Sequence, residues 1–192
     1  MTVAPRAIVD FWFGVPGSPE RGQARALWFS KSATTDELIR DRFGASVEAA
    51  LRGELDHWSD GEAGDALALI LLLDQFTRNI FRDSARAFAG DAAALAVAKR
   101  LVADGRDLQL APLERWFAYL PFEHSERMDE QRESLRLFGD LAKQGLAEPL
   151  EWARKHYDVV ARFGRYPHRN ELLGRLSTAE EIDFLRQPGA RF

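Results

Sequence analysis

The run Ala66-Leu-Ala-Leu-Ile-Leu-Leu-Leu73 passes without a break into Asp74-Gln-Phe-Thr-Arg-Asn79. Wound as a helix, the first stretch is apolar on every face. Such a helix is stable in water only when other elements surround it. It is far too short to cross a bilayer, which takes about 20 apolar residues. The pattern predicts a helix over 65–81 buried at the centre of the fold. Its C-terminal end is polar. Asp74 and Arg78 stand four apart on one face, and Gln75 and Asn79 share the adjacent face. Charges so close to a core must be paired and hydrogen-bonded, because isolated burial costs on the order of several kcal/mol.

The rest of the chain reads as helices separated by short connections. Pro5 precedes Arg6–Phe13 and Gly14 follows it, the usual placing of proline at a helix start and glycine past its end. Thr34 with Glu37, Ser59 with Glu62 and Ser177 with Glu180 each match the capping-box spacing. Further helices are expected over 91–104, over 112–119 with Pro121 as a breaker, over 125–144, and from Pro149 to Phe163 with Gly164 as its stop. No segment alternates like a strand. The expectation is an all-α fold of about nine helices packed as antiparallel hairpins, in one domain spanning 1–192. The aromatic segment Phe11-Trp-Phe13, with Trp28 and Phe29, is assigned to its core.

Several function classes drop out on composition. There is no cysteine, so disulfides, thiolate zinc sites, iron–sulfur clusters and Cys nucleophiles are all excluded. The formal net charge is -4, without the basic stripe of a nucleic-acid binder. Residues 1–10 lack the basic and apolar regions of a signal peptide, and no run spans a membrane, so a cytoplasmic protein is expected. Neither Gly-x-Ser-x-Gly, Gly-x-Gly-x-x-Gly nor a P-loop occurs. Neither His-Glu-x-x-His nor another converging ligand set is present, so no metal and no cofactor is assigned.

Unusual polar residues concentrate in three segments: Asp74–Asn79, Tyr119-Leu-Pro-Phe-Glu-His-Ser-Glu126 and Arg162-Phe-Gly-Arg-Tyr-Pro-His-Arg-Asn170. In the second, Glu123, His124 and Glu126 are placed at the start of the helix after Pro121, where carboxylates suit the dipole. In the third, Gly164 ends a helix and Pro167 holds Tyr166 extended, so that Arg165, His168 and Arg169 project from a stiff connection. From Trp152 to Arg175 there are six basic and two acidic residues, which makes that stretch +4 and the remainder -8.

Those three segments, with Val9-Asp-Phe-Trp-Phe-Gly14 and Leu173-Gly-Arg-Leu-Ser-Thr-Ala-Glu-Glu181, resemble the signatures of the bacterial domain-of-unknown-function family 924 across essentially the whole chain. The resemblance implies an all-helical fold similar to tetratricopeptide-repeat proteins, and no established activity. Where the family typically has proline, this chain has Thr77, so the central helix is expected to run slightly further.

Three functional readings follow. In the first, a helical binding module grips an anionic small molecule or acidic peptide through Arg78, Arg162, Arg165 and Arg169, helped by Asp74, Gln75, Asn79, Glu126 and Asn170. In the second, a hydrolase or acid–base enzyme uses His124 or His168 as acid or base, with Glu123 as the orienting partner. In the third, the same residues form ion pairs that only lock helix ends together. The first two require the three clusters to meet at one wet cavity beside the central helix. His57 and His156 are read as packing residues, and the chain as a monomer or homodimer without nucleic-acid or membrane partners.

Overall fold

A computed structural model describes residues 2–190. Its described residues are helical and contain no strand. The α-helices are α1 (Pro5–Phe13), α2 (Ala33–Leu51), α3 (Ala63–Ile70), α4 (Thr77–Ile80), α5 (Asp91–Ala103), α6 (Pro112–His124), α7 (Met128–Lys143), α8 (Glu148–Phe163) and α9 (Ala179–Leu185). Short 3-10 turns join several of them. Two compact units emerge. Among the described residues the first comprises 2–82 and 86–121, and the second comprises 83–85 and 122–190.

The first unit is built on the apolar run. Helices α3 and α4 are joined by a π-helix over Leu71–Phe76, so 63–80 forms one rod. Helices α1, α2 and α5 pack against it. Every residue from Ala66 to Phe76 is buried, Asp74 included. The expected helix is therefore present, but its middle carries a wider turn, a distortion common at functional or closely packed places. The hydroxyl of Thr77 donates to the Leu73 carbonyl at 2.8 Å. Gly90, just before α5, lies against that same carbonyl; a Cβ built there would sit 2.2 Å from the Leu73 oxygen. Trp12, Phe13 and Trp28 are buried as expected and meet Phe117 with centroids 4.8–5.6 Å apart. Phe29, by contrast, is largely exposed.

In the second unit α7 packs on α8. Val159, Val160 and Tyr166 form a buried cluster, with Met128, Phe163 and Phe184 against it. Gly164 ends α8 in the left-handed region at φ 69°, and Tyr166 is extended before Pro167, both as the sequence indicates.

Two details differ from expectation. Pro121 does not stop α6, which continues to His124. Proline removes one backbone donor, and burial of Phe117, Leu120 and Phe122 around it outweighs that loss. Glu123 and His124 thus close α6, and Glu126 lies in the connection before α7. The capping boxes are also shifted. Ser32, Glu62 and Thr178 are the N-cap residues, not Thr34, Ser59 and Ser177. Polar stretches offer several overlapping registers of the template, and tertiary partners choose among them. Glu181 is the box acid of α9 because Arg165 also holds it.

Candidate functional site

The first signature finds its partners within the first unit. Arg78 grips Asp91 through two nitrogens, at 2.8 and 3.1 Å, and donates to the Asp74 backbone carbonyl at 2.6 Å. The Asp74 carboxylate accepts from Gln75 at 2.7 Å and lies 3.4 Å from Arg78. Asn79 donates to Asp36 at 2.7 Å, and Arg82 grips the same carboxylate at 2.7 and 2.8 Å. Burial opposes ionisation of Asp36, but the bonds from Arg82 and Asn79 outweigh it and hold the group below its ordinary range. Tyr119, which opens the second signature, also lies in this unit, with its hydroxyl on Asp107.

The remaining predicted residues lie in the second unit, where they divide into two groups. One group is a network of ion pairs. Arg165 holds Glu181 at 2.6 and 2.8 Å. That carboxylate also accepts from the Thr178 N–H at 2.7 Å and from Asn170 at 3.3 Å. These donors, Arg165 foremost, pull Glu181 down to about 2. Glu126 is gripped by Arg175 at 2.7 and 2.9 Å and accepts from the Tyr166 N–H at 2.8 Å. Burial opposes its charge, yet those bonds keep Glu126 below the usual carboxylate range. Arg162 pairs with Glu180 on the surface, where such a pair contributes little.

The second group surrounds Tyr166. Its hydroxyl donates to the Glu123 carbonyl and accepts from Gln131 at 2.8 Å. The guanidinium of Arg169, itself buried, lies 4.5 Å from the Tyr166 ring centroid. His168 and His156 are each centred 5.6 Å from that ring, and His124 lies 6.3 Å from His156. His156 Nδ1 contacts the Trp152 carbonyl at 2.9 Å and Glu123 Oε1 at 3.2 Å. Burial lowers its proton affinity most. The charge of His124 adds to that, the Trp152 carbonyl pulls the other way, and Arg169 and His168 lower it again. The outcome is a histidine near 3, neutral at physiological pH. In a neutral ring whose Nδ1–H is donated, Nε2 carries the lone pair. Burial pushes the Tyr166 phenol up, so it stays a donor. Gln131 Oε1 and Ser134 Oγ on α7 are buried without a hydrogen-bond partner among the described residues.

Glu123, His124, His168 and Arg169 are thus brought together. Arg162, Arg165, Glu126 and Asn170 are spent in the neighbouring network. The first signature, with Asp74, Gln75, Arg78 and Asn79, belongs to the other unit. His156 corrects the sequence reading: it is not mere packing but the ring that Glu123 faces. The missed partners share a signal. Asp36, Asp91 and Glu181 each lie in the first turn of a helix. There a carboxylate serves both the helix dipole and an arginine from elsewhere. Among the described residues no three His, Asp or Glu side chains are grouped to hold a metal ion. Two hollows of about 500 and 430 Å³ lie in the first unit, and none of the predicted residues lines either.

Comparisons with known proteins agree with this architecture. A solved structure of a protein of unknown function from Agrobacterium tumefaciens is 40% identical, with a TM-score of 0.81, covering 95% of this chain and 96% of that one. No curated protein matches. The profile of the bacterial proteins of unknown function designated DUF924 matches residues 8–189, and the chain belongs to that family.

Proposed function

We propose that the second unit is a receptor for a small anion, with Arg169, His124, His156 and His168 as its binding groups around Tyr166. The observation that carries this reading is the gathering of the buried Arg169 guanidinium and three imidazoles around Tyr166. Three neighbours able to bear positive charge depress the proton affinity of His156, and its ring is already buried. An anion there would offset the positive charge of these neighbours and accept guanidinium hydrogen bonds from Arg169. Gln131 and Ser134 add buried polar atoms on the same unit. Proton transfer at neutral pH asks for a group titrating near 7, and His156 lies far below that. His156 is therefore a binding group in this reading, not the acid or base.

Arg78 and Arg165, each held bidentately by a carboxylate, are structural in this reading. No helix among the described residues is long and apolar enough to cross a membrane. A cytoplasmic setting is part of the proposal. The test is a thermal-shift titration with inorganic phosphate and malonate. An anion at 100 times its dissociation constant adds about 2.7 kcal/mol, which for a chain of this size raises Tm by roughly 5–10 °C. Arg169→Gln should abolish the response. A wild-type protein unmoved by both anions, or a response that survives in the variant, refutes the reading.

A further inference from the structure

We infer that the first unit carries a separate site, for a small monocarboxylate with an apolar body, in the hollow between the end of α1, the following loop and α2. The hollow measures about 500 Å³. That lies within the range of small-molecule sites, roughly 300–1,000 Å³. Phe11, Ala7 and Val15 give it apolar walls, and Asp10, Glu20, Arg25 and Arg42 give it charge.

The charged groups are not equivalent. Arg25 is committed to the carbonyls of Phe11 and Trp12, at 2.5 and 3.0 Å, where it caps the end of α1. Asp10 lies 3.3 Å from Arg6 and 3.6 Å from Arg21. Arg42 differs. Its guanidinium rests over the rings of Phe11 and Phe43, 4.9 and 5.1 Å from their centroids. Among the described residues it makes no hydrogen bond and no ion pair. Stacking uses the face of the guanidinium and leaves its in-plane N–H fork unspent. Phe43 is fully buried, so that ring of the platform is fixed, and Arg42 lines the hollow beside it.

The fork and its surroundings select the ligand. A single guanidinium matches one carboxylate through two parallel hydrogen bonds. The carboxylates of Asp10 and Glu20 on the walls repel a dianion more strongly than a monoanion, so phosphate is the more disfavoured. The ring of Phe11 and the side chains of Ala7 and Val15 then cover an apolar body.

The experiment is an NMR titration of the full chain with benzoate, hexanoate, acetate and inorganic phosphate, following the amides of residues 7–25 and 42. Benzoate or hexanoate should bind, acetate more weakly for want of an apolar body, and phosphate should leave these amides unmoved. Arg42→Gln should weaken benzoate binding by about tenfold or more, the loss expected for a charge-assisted pair. The same variant should leave the phosphate response assigned to Arg169 intact, so the two sites fail independently. Arg42 is exposed and its replacement does not threaten folding. Absence of monocarboxylate binding, equal binding by the variant, or a preference for phosphate at these amides overturns the inference.

Discussion

The contact between Gly90 and the π-helical turn is the most demanding packing feature of the first unit, and replacing that glycine with alanine tests it. An added Cβ would lie 2.2 Å from the Leu73 oxygen, 2.8 Å from its carbonyl carbon and 2.9 Å from its Cα. Ordinary contacts to a Cβ are 3.4 Å or longer. One backbone must therefore retreat by about an ångström from another, and no side-chain rotamer can absorb the shift. Overpacking typically costs about 1–3 kcal/mol, and a backbone-to-backbone clash belongs at or above the top of that range. Stiffening the unfolded chain returns only about 0.4–1 kcal/mol. The net expectation is a loss of roughly 2–3 kcal/mol, or a Tm lowered by about 4–12 °C. Gly139 on α7 is the control, since a Cβ there meets nothing within 4 Å. Gly139→Ala should stabilise by about 0.5–1 kcal/mol through helix propensity. Urea unfolding followed by circular dichroism gives both numbers. If Gly90→Ala matches the wild type within 0.5 kcal/mol or so, the close approach to Leu73 is refuted.

Removing Arg165 leaves the Glu181 carboxylate buried with only the Thr178 N–H and Asn170 to hold it. Arg165→Ala should therefore cost roughly 2–3 kcal/mol in urea unfolding, whereas Arg162→Ala at the exposed Glu180 pair should change stability by under about 0.5 kcal/mol. Acid should destabilise the second unit in two stages. His156 titrates near 3 when folded against 6.5 otherwise, so the unfolded state binds more protons and stability falls as pH drops from about 6.5 towards 3. Glu181, near 2 against 4.5, adds a loss between about 4.5 and 2. The His156 stage should vanish in His156→Asn; if the stability profile between pH 6.5 and 4.5 is the same in both proteins, the histidine is not held neutral.

The central helix and the general helical plan could be read from the chain because both rest on periodicity and on the cost of exposing apolar surface. Ala66–Leu73 had no alternative to burial. Gly164 and Pro167 shape their turn through local sterics, which no tertiary contact needs to assist. What was not legible depended on side chains that meet across long sequence distances. Arg78 was paired in expectation with its neighbour Asp74, four residues away. Its bidentate partner is Asp91, and Asp36 similarly collects Asn79 and Arg82 from more than 40 residues on. His156 shows the same limit from the other side. Its helical position next to Trp152 suggested packing, and nothing local marks it as the ring facing Glu123. Yet a rule emerges that can be read in advance. Each bidentate arginine of the first and third signatures ends on an acid in a helix's first turn, where an unspent N–H row already favours negative charge. Satisfying that acid twice, by dipole and by guanidinium, fixes the helix start to the remote signature.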